Sequence, residues 1–346
     1  MKPVIGRLHA HGLDTPRFDT AVEVVRHLGC VQSQLHDMAL WGVARRTTDL
    51  TLADLQTAFD RGDFVRTHVL RPTWHFVAPE DVHWLLALTG PRVERQLAVT
   101  NRTLGLTRQT VERGVAVIAE AVSPSAPLTR AELADCLAGA GLDPTGQALA
   151  HIVMQAELDG LVASGPMRGK QHTYRTLPPA PALPGRDDLL AAVARRYAAG
   201  HGPFRDKDLA WWTSLTLTDS RRAIELAQLQ PIETDHGPHW THEAPVDVEV
   251  PAVLLLPAFD EYISYARDPD DLADLRGPAA DLARGTGLLV VRGRLAGTWT
   301  RSVSARRLEV RIDTPSPAAT LHRAIDQEAA DFARFLGRDP VVTYTS

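Results

Sequence analysis

Gln32 and Gln34 stand either side of Ser33 in the stretch CVQSQLHDMALW, residues 30–41, with an apolar helix-like run before it and another after it. A carboxamide offers two donors and one acceptor, so a pair of them can orient a water molecule. Neither can deprotonate that water, because an amide has no useful pKa. Such a pair works by position and fixed dipoles, or else it caps backbone groups between two elements. In a strand, side chains two residues apart project to the same side, and both amides would then face one water.

The elements that must hold this pair follow from periodicity. Residues 19–30 read as a helix, with apolar positions 21, 22, 25 and 28. DLTLADLQTAFDRG reads as another, with Thr51 as N-cap, Asp54 three residues on and Gly62 at its end. FVRTHVL and TWHFVA are short β-like runs joined by Arg71-Pro72, and Pro79 opens a further helix. Helix, short strand, helix, hairpin is the winged-helix order, and it returns. Val111, Val115, Ile118 and Val122 mark one helical face. A Thr129–Glu132 capping box starts a second helix, TGQALAHIVMQAELDG supplies a third, and LVASGPMRGKQHTYRTL reads as a hairpin with a basic tip. After the Pro-rich linker 178–185 come helices over 187–199, FRDKDLAWWTSL and TLTDSRRAIELAQL, then a wing-like PIETDHGPHWTH. Beyond about residue 244 the pattern turns β-rich, with an Arg292-Gly293 hairpin turn, and a last amphipathic helix spans 319–337.

The expected fold class is therefore α+β. Three tandem winged-helix units cover residues 1–110, 111–180 and 181–243. A small β-barrel or curved sheet with a covering helix fills 244–346. The chain has 346 residues, 44% of them hydrophobic, which is enough for several cores. It contains no apolar run long enough to cross a bilayer and no secretory h-region at its start, so it reads as cytoplasmic and nucleoid-associated. Its two cysteines, Cys30 and Cys136, read as buried free thiols. The net charge of −5 argues against a simple nucleic-acid coat protein, yet basic residues cluster locally. Residues 292–311 hold six arginines against Glu309 alone, and 165–176 hold Arg168, Lys170 and Arg175 with no acid.

Several chemistries lack their motifs. There is no phosphate-binding G-x-x-x-x-G-K-S/T loop, no dinucleotide G-x-G-x-x-G unit, no G-x-S-x-G elbow, no C-x-x-C and no H-E-x-x-H. His236, His239 and His242 recur at three-residue spacing, but without a helix and a nearby acid they read as a polar hairpin tip and not a metal site. His9 and His11 carry a weaker signal still.

Five stretches in register then carry a resemblance: VQSQLHDMALWGVARRT, VRTHVLRPTWHFVAPEDVHWLL, GPFRDKDLAWWTSLTLTDSRRA, LLPAFDEYISYARD and GRLAGTWTR. Together they resemble the AlkZ-like winged-helix DNA glycosylases, over about residues 4–335. The resemblance implies three winged helices and a C-terminal β-barrel around a cleft, and a catalytic Gln-x-Gln motif matched by Gln32 and Gln34. The family's middle position is described as hydrophobic, whereas this chain has Ser33. Members with Gln-x-Asp act on simpler lesions, so this chain falls with the branch linked to bulky alkyl adducts and interstrand crosslinks.

Base excision breaks the bond from C1′ to the base nitrogen through an oxocarbenium-like transition state. An N7-alkylated guanine already carries positive charge and departs as a neutral base, so much of the general acid's work is built into the lesion. The function this implies is a monofunctional DNA glycosylase. It would release N7-alkylated purines from duplex DNA as a monomer, without metal or nucleotide cofactor. The alternative is a non-catalytic winged-helix DNA-binding regulator.

Arg71, Thr73, Trp74 and His75 match the family's Arg-x-Thr-x-His signature. Arg71 could meet phosphate and His75 could lie by the cleft, while Trp74 reads as core. Arg168, Lys170 and His172 on the second wing are candidates for phosphate contact, and His236 and His239 on the third could probe a groove. Phe259, Asp260, Tyr262, Arg267 and Asp268 fit either the site or a buried Asp260–arginine pair holding the C-terminal domain in place. Trp299 and Arg301 could track the duplex or pack, and Trp211 and Trp212 read as core.

Overall fold

A computed structural model of the chain describes residues 3–123, 125–235, 237–243, 248–264, 285–314 and 319–345. The first segment holds α1 (Pro3–Ala10), α2 (Ala21–Leu28), β1 (Val31–Gln32), α3 (His36–Ala44), α4 (Leu52–Arg61), β2 (Val65–His68), β3 (Trp74–Val77) and α5 (Val82–Thr103). The second holds α6 (Arg108–Ala121), β4 (Leu128–Thr129), α7 (Arg130–Gly139), α8 (Gly146–Leu158), β5 (Val162–Arg168) and β6 (Gln171–Thr176). The third holds α9 (Arg186–His201), α10 (Asp206–Thr213), α11 (Leu217–Leu226), β7 (Pro231–Thr234) and β8 (Gly237–Trp240).

Threonine caps start the helices as the sequence indicated. Reciprocal boxes join Thr51 to Asp54 and Thr129 to Glu132, and two more join Thr20 to Glu23 and Thr216 to Asp219. The segments share one wiring pattern. In the first, the short β1 pairs antiparallel with the second hairpin strand, giving the order β1-β3-β2; in the second, β4 does the same, giving β4-β6-β5. In the third, Phe204, lying between α9 and α10, makes a single bridge to Trp240 of β8. The repeat of element order is thus also a repeat of pairing.

The C-terminal segment comprises β9 (Val253–Leu256), α12 (Glu261–Ser264), β10 (Gly287–Val291), β11 (Arg294–Val303), β12 (Arg307–Asp313), α13 (Ala319–Leu336) and β13 (Asp339–Thr345). Among the described residues its sheet runs β13-β12-β11-β10-β9, with β12 and β13 parallel, so it is a sheet of five strands and not a closed barrel. The turn between β10 and β11 has positive φ at both Arg292 (47°) and Gly293 (80°), the geometry that matches the twist of a two-residue hairpin. β9 and β10 are buried on both faces. Leu255 and Leu289 face a core shared with Phe332 of α13, while Leu254, Leu256 and Val290 face Leu8, Leu13 and Tyr262. That double cover explains the unbroken VLLL run in place of alternation.

The cores do not follow chain order. Val65, Leu85 and Val93 of the first segment share one with Val193, Trp212 and Ile224 of the third. Val24, Leu40, Phe59 and Phe76 share another with Leu255, Ile312 and Phe332. The second segment has its own, around Ile118, Leu137 and Ile152. The first segment is thereby clamped between the third segment and the C-terminal sheet, with the Gln32 strand in the seam. The sequence reading missed α1, α12, β13 and the continuation of α5 through Pro91 to Thr103. A proline within a helix forfeits one backbone bond, and the packing of Val93 and Leu97 on the far side holds the helix together.

Candidate active site

Val31 and Gln32 pair with Phe76 and His75, and the Ser33 N–H donates to the Trp74 carbonyl at 2.7 Å. The strand ends there. Gln34 sits in the bend that follows and is exposed. The alternation argument for two amides facing one side therefore does not apply: Gln32 is half-buried at the end of β1, and Gln34 lies outside it at the surface.

Ser33 is fully buried. Its carbonyl accepts from Arg66 Nε at 3.1 Å, and the Arg66 guanidinium lies 4.2 Å from the ring centre of Trp74, which is half-buried. The Ser33 hydroxyl finds no hydrogen-bond partner among the described residues. A buried position without a polar partner is one that an apolar side chain suits.

Three residues, Glu261, Trp212 and Arg71, close a ring with Gln32. Its backbone N–H donates to Glu261 Oε1 at 2.7 Å. Its side-chain Oε1 accepts from Arg71 Nη2 at 3.2 Å. Arg71 Nη1 donates to the Trp212 carbonyl at 2.9 Å, and Trp212 Nε1 donates to Glu261 Oε2 at 2.9 Å. Arg71 Nη2 also lies 3.1 Å from His75 Nε2. Arginine has no acceptor, so it turns the amide oxygen of Gln32 toward itself and the amide N–H groups away. Glu261 is only 2% exposed, and burial pushes its carboxyl up to about 7 against the opposing pull of Arg71.

The histidines nearest the motif are held neutral. Burial, then the adjacent Arg71, lowers His75 well below the usual range. His36, at the start of α3, is brought down to about 4 by burial and by Arg66, and it lies 3.3 Å from Gln56 Oε1. His172 of β6 reaches across from the second segment to pack edge-on against His36 at 4.9 Å, and burial, Arg66 and His36 bring it down to about 3. Beside the motif loop opens a cavity of about 620 Å³, lined among others by Leu35, Asp37, Trp299, Arg301, Phe332 and Arg338. Among the described residues no group of three or more His, Cys, Asp or Glu could hold a metal, and no helix is long and apolar enough to cross a membrane.

A family model described as "DNA glycosylase AlkZ-like" matches residues 25–335, nearly the whole chain and all of the ring. The chain belongs to the AlkZ-like DNA glycosylase family. It is accordingly an enzyme of a class that acts on N-glycosidic bonds in DNA. Among solved structures, the Streptomyces sahachiroi DNA glycosylase AlkZ matches with a TM-score of 0.75 and 21% identity, over 99% of this chain and 98% of that one, which shows the same fold. A comparison with curated proteins found no match.

This AlkZ-like chain brings only some of its expected site residues together. Gln32, Arg71 and His75 meet directly, Gln34 adjoins them, and His172 comes in through His36. Among the described residues Arg71 turns inward to Trp212, Gln32 and His75, the geometry of an organiser, and fully buried His75 presents no ring to a ligand. Arg301 of β11 is half-buried in the wall of the motif-side cavity. Arg168 is folded back onto Glu132 at 2.7 Å and onto the Pro127 carbonyl, while Lys170 remains exposed at the turn. His239 is fully buried, with Nδ1 lying 3.1 Å from Thr234 Oγ1 and 3.0 Å from the Gly237 carbonyl, so it cannot probe a groove. His236, Arg267 and Asp268 lie outside the described residues.

Trp299 packs in the core and its indole donates to the Leu256 carbonyl at 2.9 Å. Trp212 is core, but Trp211 is 50% exposed. Neighbours on a helix diverge by about 100°, so the two indoles cannot share one core face. The Asp260–arginine pair is present: Arg46 grips Asp260 at 2.8 and 3.0 Å, both side chains buried, and joins the C-terminal segment to α3. Glu261 was missed, although it lies within FDEYISYARD. The available signal was a second acid beside Asp260, since one buried arginine cannot satisfy both.

Proposed function

We propose that this chain hydrolyses the N-glycosidic bond of N7-alkylated purines in duplex DNA, bulky adducts and interstrand crosslinks included, as a monofunctional glycosylase acting as a monomer. The observation that carries this reading is the pairing of a fixed amide and an exposed amide with histidines that burial keeps neutral. None of those rings is an imidazolium at neutral pH, so none is a general acid there. A leaving group that brings its own charge, as a purine alkylated at N7 does, suits such a site.

Gln34, exposed in the bend, would accept a hydrogen bond from water and turn the water's lone pair toward C1′. Gln32 has its oxygen turned to Arg71, which fixes the amide beside the motif. The departing base takes the bonding electrons and neutralises its ring. The water adds to C1′ and its proton leaves to solvent. This chemistry calls for neither metal nor nucleotide. Three winged helices over residues 1–110, 111–180 and 181–243 would bind the duplex. The reading is supported by the shared pairing of β1 with β3, β4 with β6 and Phe204 with Trp240. The exposed Lys170 and the Arg301 side of the motif cavity supply local positive charge on a chain of net charge −5.

The test is incubation with a duplex bearing one N7-methylguanine. Free base and an alkali-labile abasic site are expected, and Gln34→Ala should slow their formation on the order of 100-fold or more. Tight binding to one sequence with no base released would instead identify the non-catalytic regulator.

A further inference from the structure

We propose that Glu261 is a positioning residue for the Gln32–Ser33–Gln34 motif: its carboxylate holds the Gln32 backbone N–H and the Trp212 indole N–H at once and so closes the ring through Arg71. The inference rests on the proposed glycosylase reading and extends it to a residue that touches no substrate.

Each carboxylate oxygen meets one N–H donor, Gln32 N at 2.7 Å and Trp212 Nε1 at 2.9 Å. An ionised carboxylate is acceptor-only and satisfies both. A protonated carboxyl places an O–H on one of those oxygens and weakens one of the two contacts. Because Arg71 links the Trp212 carbonyl to Gln32 Oε1, loosening either contact loosens the amide as well. The ring draws Gln32 and Arg71 from the first segment, Trp212 from the third and Glu261 from the C-terminal segment. Its geometry therefore depends on three parts of the chain being assembled.

The groups around Glu261 set how firmly it holds its charge. Arg71 favours the carboxylate, and Asp260 opposes it. Beside it a small cavity of about 10 Å³ is lined by Glu261 together with Arg7, His11, His201, Asp208 and Tyr262. Burial keeps His11 well below the usual histidine range and brings His201 down to about 3, so neither ring adds charge at neutral pH. Cys30, also buried, has its thiol pushed well up by burial and by Glu261 and stays neutral. With the carboxyl at about 7, the ring is closed above neutrality and loosened below it.

Two measurements test this. In wild-type protein labelled with ¹⁵N-glutamine, the Gln32 backbone resonance, assigned by its loss in Gln32→Asn, is expected to titrate with a midpoint near 7 and to stop doing so in Glu261→Gln. In single turnover on the N7-methylguanine duplex, the wild-type rate should rise with pH through the same midpoint. Glu261→Gln, which turns an N–H against Trp212, should be slower on the order of 100-fold at high pH, with that limb gone and duplex Kd little changed. A pH-invariant Gln32 resonance in the wild type, or a Glu261→Gln protein with the wild-type rate and pH profile, overturns the proposal. If wild-type protein releases no base, the glycosylase reading fails, and the Gln32 titration still decides the link to Glu261.

Discussion

At the scale of single residues, the site separates groups that hold from groups that act. Ser33 is the plainest case. Its hydroxyl is buried without a partner among the described residues, at a cost of about 1–3 kcal/mol. Ser33→Ala is expected to raise Tm by several degrees and leave base release near the wild-type rate, as read by thermal unfolding and a single-turnover assay. Glu261 behaves in the opposite sense. Burial raises its carboxyl from 4.5 to about 7, so the folded chain binds that proton more tightly than the unfolded chain does. Its contribution to stability is fully present below about pH 4.5 and is lost as pH rises to about 7. Glu261→Gln should therefore lose less unfolding free energy than wild type across that window, by up to about 3 kcal/mol, as read by urea melts at the two ends.

At the scale of elements, a few residues decide where the chemistry falls. β1 ends at Gln32 because the pairing to β3 runs out, and the bend that follows frees Gln34 from the sheet. Asp260 anchors the turn that carries Glu261. Asp260→Asn leaves Arg46 buried and uncompensated, and a loss of about 3–5 kcal/mol is expected in denaturant melts, with activity falling alongside. Much at this scale was readable in advance. The capped helices starting at Thr51 and Thr129, the Arg292-Gly293 turn and the hairpin ending at Gly169-Lys170 all rest on local chemistry, which a sequence displays directly. What local pattern could not show is contact between distant segments. His239 has the same composition cues as a hairpin-tip histidine, yet its strand turns it inward. Trp211 and Trp212 look alike in sequence, and only the position of the core relative to α10 separates them. Glu261 looks like any acid until Trp212 and Gln32 are brought to it.

At the scale of the molecule, the shared cores place the motif between three segments, and charge is local where the net balance is acidic. Duplex affinity should fall steeply with salt. Lys170→Ala should reduce the slope of log Kd against log salt by about 1, because that side chain is exposed. Arg168→Ala should change the slope less and loosen the start of α7, because Arg168 is already paired with Glu132.

In the proposed reaction the lesion's own positive charge replaces a general acid, which leaves two amides with only water to place. The direct measurement compares single-turnover release from two duplexes, one carrying cationic N7-methylguanine and one its neutral isostere 7-methyl-7-deazaguanine, at matched occupancy. Release from the first and none from the second is the expected result. Comparable release from both would mean that the protein supplies the proton itself, and that Gln32 and Gln34 do not suffice for the chemistry.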